Sequence, residues 1–223
     1  MAGSNRLTHL DTQGRLLFRR NQMTDHSRQV RLFESRWLES LTVISVPIFL
    51  ILWGMTLPFI AWAAWSMAGT GRTMLLLPVG VLVWTMVEYA LHRFVFHWTA
   101  GSALGEQFVF VMHGNHHEVP NDPLRNLMPP IVSLPIAALI WGAMLLLLGP
   151  GGSWMFLGFM IGYVAYDLVH YACHQWPMRG RVARALKLHH MRHHHLDHSG
   201  NYAITGMIWD RVFGTRIVRE TQR

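Results

Sequence analysis

Fifteen histidines, more than all 12 Asp and Glu together, are the residues of this 223-residue chain whose type and spacing could do chemistry. Thirteen lie between His92 and His198, and all but His198 fall in four groups: HRFVFH (His92, His97), HGNHH (His113, His116, His117), HYACH (His170, His174) and HHMRHHH (His189, His190, His193, His194, His195). Neutral imidazole is the commonest protein ligand for iron, zinc, copper and nickel. His113, His116 and His117 stand at i, i+3 and i+4, so one helix face would carry all three, and His190, His193 and His194 repeat the pattern. His170 and His174 are an i, i+4 pair. His92 and His97 are five apart, roughly 140° round an α-helix, so both reach one site only where the helix frays or bends. Ten imidazoles from four segments are too many for one ion and suit two. His9 and His26 read as solvated, and no role is assigned to His189, His195 or His198.

Other chemistries fit less well. The single cysteine, Cys173, cannot form an internal disulfide or supply the four ligands of an iron–sulfur cluster. The zinc-protease HExxH is absent, because His117 and Glu118 are followed by Val119, Pro120 and Asn121. A His-rich metal transporter or sensor is the alternative from another class, but transport sites lie near the bilayer midplane, and these groups sit at the ends of apolar segments. Dense imidazole with open positions facing an apolar compartment suits dioxygen activation at a non-haem diiron centre.

The elements that must position these rings are membrane helices. Hydrophobic residues make up 51% of the chain and charged ones only 14%, where about 25% is ordinary for a soluble domain. Leu41 to Gly71 carries no charge and exceeds the roughly 20 residues needed to cross a bilayer. A turn at Gly69 to Arg72 separates it from a second apolar segment, and Gly149, Pro150, Gly151 and Gly152 break a third long uncharged run near its middle. The expected fold is all-α and integral to the membrane: four transmembrane helices in two hairpins, at about 41–66, 73–92, 130–148 and 153–171, with a cytosolic helical His-rich cap holding a dimetal centre. Residues 1–40 form a basic cytosolic segment without a cleavable signal peptide, 93–127 a cytosolic loop, and 172–223 the rest of the cap.

Charge sets the expected orientation. Seven Arg precede Leu41, nine Lys or Arg follow His174, and only Arg72 lies in a hairpin turn. By the positive-inside rule both termini and the His-bearing loop are cytoplasmic. Anionic lipid at that leaflet accounts for the net charge of +7 without nucleic acid. The membrane would be a bacterial inner membrane or the endoplasmic reticulum. Two carboxylates, Glu88 one turn before His92 and Asp167 one turn before His170, are candidates to hold those imidazoles from behind or to pair with Arg93 or Arg125.

These motifs resemble those of the fatty acid hydroxylase and sterol desaturase superfamily, most closely its fatty acid 2-hydroxylase branch. The resemblance runs from HRFVFH through HGNHHEVPNDPLRNLMPP, YDLVHYACH and LKLHHMRHHH to WDRVFGT, from His92 to Thr215. It implies two iron ions ligated by His92, His97, His113, His116, His117, His170, His174, His190, His193 and His194, at the cytosolic membrane face. Zinc could replace the iron in purified protein. The implied reaction is hydroxylation of a lipid acyl chain, at C2 of a free fatty acid or a sphingolipid N-acyl group, using dioxygen and two electrons. Eukaryotic members often carry a b-type haem domain that is not seen here, so a separate electron-donor protein is expected. A carotenoid or sterol-type hydroxylase or desaturase of the same superfamily is the alternative within enzymes.

Overall fold

The computed structural model describes residues 30–218, so His9, His26 and most of the basic N-terminal segment lie outside the described residues. Every regular element among the described residues is helical. A short helix α1 (Arg36–Leu41) leads into α2 (Val46–Ala68). A 3-10 turn (Arg72–Leu75) then starts α3 (Leu76–Leu91), which runs on into a π-helical turn (His92–Phe96). The connecting segment carries α4 (Ala103–Val109), a second π-turn (Phe110–Gly114) and α5 (Asn115–Glu118). Next come α6 (Pro130–Leu148), a 3-10 turn (Gly149–Gly151), α7 (Gly152–Gln175), α8 (Arg181–His195) and α9 (Ile208–Val212).

Among the described residues, three helical stretches are long and apolar enough to cross a membrane: Val46–Ala68, Arg72–Phe96 and Pro130–Gln175. The third is not straight. Gly149 adopts a left-handed φ of 62°, which glycine takes without the steric cost of a Cβ, and α7 folds back on α6. Trp141 of α6 donates its indole N–H to Ser153 Oγ at 3.0 Å and stacks on Phe156 of α7.

The helices start and stop where backbone chemistry allows. α2 begins at Val46 rather than near 41, because Pro47 lacks an N–H and is tolerated in a first turn. The extended residues before it pair elsewhere, Ile44 N–H donating to Leu124 O at 3.1 Å. α7 runs to Gln175, four residues past the expected end, and so carries His174 on the same rigid helix as His170.

α7 is the central helix, packed by α2, α3 and α6. It meets α3 at backbone distance: a Cβ on Gly80 would stand 2.0 Å from Met155 O, and one on Gly158 1.9 Å from Leu77 O. Small residues permit this close approach in membrane bundles, where apolar lipid removes the hydrophobic drive for helix association. Trp84 fills the space beside the crossing, with its ring 5.0 Å from Phe159 and 5.2 Å from Tyr163. Trp62, Trp65, Leu139, Leu146 and Leu147 face outward and exposed, as lipid-facing residues do.

Both hairpin turns lie together at one end, where Trp154 donates to Gly69 O at 2.9 Å. The histidine-bearing ends of α3 and α7 lie at the other, under the cap. There Arg125 donates to Val30 O at 2.8 Å and pairs with Glu39, clamping residues 30–42 onto the 119–129 loop.

Candidate metal centre

The ten spaced histidines meet in two groups of five. His92, His97, His113, His117 and His193 form the first, and His116, His170, His174, His190 and His194 the second; within each, one nitrogen per ring lies within 4.8 Å of all the others. Helical geometry divides the triplets. Residues i and i+4 lie about 40° apart round a helix, while i+3 and i+4 lie about 100° apart. His113 and His117 therefore reach the first group and His116 the second. On α8 the division is reversed, with His190 and His194 in the second group and His193 in the first. The five-residue gap between His92 and His97 is closed by the π-turn, whose i→i+5 bond from His97 N–H to His92 O measures 3.2 Å.

The proton positions follow from what stands behind the rings. His92 Nδ1 faces Tyr202 O at 2.5 Å, His193 Nδ1 faces Gly200 O at 2.7 Å and His170 Nδ1 faces Asn126 O at 3.0 Å. His116 Nδ1 faces Asn126 Oδ1 at 3.2 Å. Carbonyl oxygens only accept, so each Nδ1 carries the proton and each Nε2 presents a bare lone pair. His116 Nε2 and His170 Nε2 nevertheless stand 3.0 Å apart. Two lone pairs at that distance repel unless a cation lies between them. The neighbouring Nε2 pairs, at 2.8 to 3.3 Å, fit the same reading. Nitrogens that share one ion through bonds of about 2.1 Å stand about 3.0 to 3.4 Å apart. The donor set thus fits two metal ions, five imidazoles each.

Burial and neighbouring imidazoles also keep the cap rings in their ligating, neutral form. Burial lowers the imidazole of His97 to about 4 and that of His193 to about 3. It pushes His113, His116 and His190 well below the usual range, with further lowering from adjacent rings. His117 and His194 move in the same direction.

Three histidines take other places. His189 is buried but turns away, its Nε2 2.9 Å from Asp210 Oδ2. His195 is exposed. His198, also exposed, stands with its ring 4.6 Å from that of His117, above the first group.

The two carboxylates expected behind the imidazoles bond loop backbone N–H groups and not the rings themselves. Glu88 accepts from the backbone N–H groups of Ile204, Thr205 and Gly206 and from the Thr205 hydroxyl. Asp167 accepts from Met128 N–H at 3.0 Å. Among the described residues neither bonds a histidine or an arginine, because loops reaching the bundle end bring unpaired N–H groups that a buried carboxylate satisfies. Arg93 instead donates to Tyr89 Oη and Arg125 pairs with Glu39 and Asp122. The groups that do hold the rings, the Gly200, Tyr202 and Asn126 carbonyls and the Asn126 amide, were not foreseen. Asn126 and Asp210 both lie within the quoted motifs, HGNHHEVPNDPLRNLMPP and WDRVFGT, which was the available signal.

A cavity of about 350 Å³ opens between α3, α6 and α7 and ends on imidazoles of both groups, His113, His116 and His170. Its walls are largely apolar, including Leu91, Met112, Ile136 and Phe159.

The sequence profile of the fatty acid hydroxylase family matches residues 77–215, a span that contains all ten of these histidines. The chain belongs to the fatty acid hydroxylase family. Among its curated relatives is the dihydroceramide fatty acyl 2-hydroxylase FAH2 of Arabidopsis thaliana, 35% identical over 190 residues, covering 83% of this chain and 79% of the relative. Another is the ceramide very long chain fatty acid hydroxylase scs7 of Schizosaccharomyces pombe, 41% identical over 142 residues, covering 61% of this chain and 41% of the relative. The solved hydroxylase domain of scs7p superposes with a TM-score of 0.76 at 31% identity, over 83% of this chain and 72% of that one. This member of the fatty acid hydroxylase family is accordingly an oxidoreductase with membrane-spanning helices and a histidine cluster suited to metal.

Proposed function

We propose that this enzyme places a hydroxyl at C2 of a fatty acyl chain, either free or amide-linked in a sphingolipid. The observation that carries the reading is the apolar cavity ending on both histidine groups. The relatives named as acyl and ceramide 2-hydroxylases supply the position and the substrate class. His92, His97, His113, His117 and His193 would hold one iron ion, and His116, His170, His174, His190 and His194 the other. Two iron ions there would supply dioxygen activation, drawing two electrons per turnover from an outside donor. Zinc bound in their place has no redox chemistry to offer.

The protein's own residues bind, orient and exclude water. Val87, Leu91, Phe159 and Met160 line the cavity and would take methylene groups. Head-group chemistry stays at the cap end, near Asn126 and Arg125, so the first carbons of the chain meet the imidazole-lined end. That depth relation favours C2 over mid-chain carbons. Carbonyls behind His92, His116, His170 and His193 fix each ring's proton on Nδ1, leaving Nε2 free to ligate.

The bend at Gly149–Gly151 supports four crossings, about Val46–Ala68, Arg72–Phe96, Pro130–Leu148 and Gly152–Gln175. Residues 1–40 would form the basic leading segment and 41–223 the hydroxylase domain, with the cap, both termini and the donor's approach on the cytoplasmic side. Mass spectrometry of hydrolysed lipids, from cells with the enzyme, without it, or with H193A, tests the reading. A 2-hydroxy acyl product confined to the unaltered enzyme, with one oxygen from labelled dioxygen, is expected. Label arriving from water, or identical lipids in all three cells, would overturn it.

A further inference from the structure

Two loops in the cap do parallel work for different imidazole groups. Residues 200–206 turn through Asn201, which adopts a positive φ of 54°, and present the Gly200 and Tyr202 carbonyls to His193 and His92. Both of those rings belong to the first group. The same loop is fixed from two sides by buried carboxylates. Glu88 takes the N–H groups of Ile204, Thr205 and Gly206, and Asp210 takes those of Tyr202 and Ala203, at 2.8 to 3.1 Å. Asp210 also accepts from Thr215 Oγ1 at 2.7 Å and holds His189 Nε2 at 2.9 Å.

The second group is held from the other loop. Asn126, buried, faces His170 Nδ1 with its backbone carbonyl and His116 Nδ1 with its side-chain oxygen. Its amide nitrogen donates to Pro120 O at 3.1 Å, and Met128 two residues on is tied to Asp167. None of these bonds reaches a ring of the first group.

We infer that Glu88 and Asp210 are positioning residues for His92 and His193 of the first five-histidine group, and that Asn126 is the positioning residue for His116 and His170 of the second. Neither carboxylate touches an imidazole of either group. Each sets the place of a carbonyl, and the carbonyl sets the ring's tautomer and direction. Ligand-orienting partners of this kind are worth about 10- to 100-fold in metal affinity. The two ions would then be separable: weakening one loop would loosen one ion and leave the other in place.

The inference rests on the metal-binding reading proposed above, and cobalt(II) serves as the probe so that the two can fail separately. Full-length enzyme in detergent, stripped and reloaded with cobalt, is challenged with increasing chelator while bound cobalt and its visible spectrum are followed. The unaltered protein should bind two ions; binding none would sink the metal reading itself. In D210N one of the two ions should leave at about 10- to 100-fold lower chelator, the other leaving as in the unaltered protein. E88Q keeps an oxygen for the loop while losing charge, and should show the same selective loss in smaller measure, so it decides the matter if D210N does not accumulate. N126A should release the other ion. Assignment comes from paired variants: D210N should weaken cobalt binding further in H190A, whose first group is intact, but not the remaining tight site in H193A. With N126A these outcomes should exchange. Equal weakening of both ions by D210N and E88Q, or no change in either, would show the carboxylates to be structural only and overturn the inference.

Discussion

The bundle and the cap of this enzyme are built on opposite principles. In the bundle, α3 and α7 touch backbone to backbone at Gly80 and Gly158, and aromatic rings fill what remains around Trp84. Almost nothing polar is needed there. In the cap, buried carboxylates, amides and carbonyls do the holding: Glu88 and Asp210 on one loop, Asn126 and Asp167 on the other. A membrane leaves shape as the main source of specificity between helices, whereas a cap with buried polar groups enforces direction, since each unmet hydrogen bond costs about 1 to 3 kcal/mol. Rings that are to share a metal need direction more than bulk stability, and these rings sit where the two regimes meet.

The sharpest way to separate the regimes is to remove a ring. H116A or H193A deletes one Nε2 from a five-membered group while touching no helix crossing. Activity should fall by more than about 100-fold, with membrane insertion unaltered and the melting temperature lowered only by the about 1 to 3 kcal/mol of the buried acceptor left unpaired behind the ring; lipid mass spectrometry and a melting curve on the same preparation read both. Retained hydroxylation in H193A would remove that residue from the ligand set.

G158A should give the converse pattern. Its new Cβ would press on the Leu77 carbonyl, a backbone atom that cannot turn aside. Overpacking of this kind costs typically about 1 to 3 kcal/mol. A lower melting temperature, with the metal content per folded chain of the unaltered protein retained, is the expected result. If G158A instead melts normally and loses metal, the division between bundle and cap is wrongly drawn.

How much of this division can be read without coordinates depends on which atoms carry it. Histidine is a rare side chain, and ten of them at helical spacings announce a centre, as uncharged runs announce the apolar helices. The partition into two groups is harder to see. HGNHH reads as one face, but the 100° between His116 and His117 sends them to different groups, and nothing in the motif says that α8 will split in the opposite sense. The π-turn after Leu91 is invisible too, because HRFVFH has no residue that marks a widened helix. Backbone carbonyls are the least legible: Tyr202 lies 110 residues from His92, and its oxygen has no sequence signature. Glu88 and Asp167 were conspicuous as charges in apolar segments, so they were expected to act on the rings. Their partners proved to be N–H groups of distant loops.

Acid should act on the cap ahead of the bundle. Imidazoles of the metal-free cap are held neutral by burial, His97 at about 4 and His193 at about 3, while the unfolded chain protonates near 6.5. Between those values the unfolded state binds more protons, so stability falls as pH drops from about 6.5 towards 4 and, for His193, on to 3. Bound metal competes with the same protons. Melting temperatures of stripped enzyme should decline over that range, more steeply than in H193A, which has one such ring fewer. A flat profile down to pH 4 would show the rings to be solvated rather than buried.

The smallest effect is expected where bundle and cap share a surface, in the cavity. Ala137 of α6 is buried, lines the cavity wall with Ile140 and Phe159, and stands about two helical turns from the start of α6 at Pro130. A137F would fill part of about 350 Å³ without adding a polar atom or approaching an imidazole. Short acyl chains would still reach the centre, whereas long ones would meet the ring and lose burial of about 0.8 kcal/mol per excluded methylene. Two or three methylenes at that value correspond to roughly 15- to 60-fold in relative kcat/KM between chain lengths, and steric relaxation should bring the observed shift to the lower end. Competition between two acyl lengths in one reaction reads the ratio directly. Total metal content and the melting temperature should stay near the unaltered values, since the substitution touches neither the cap loops nor the α3–α7 crossing. A chain-length ratio unchanged in A137F, with the protein otherwise intact, would mean that the acyl chain does not occupy this cavity.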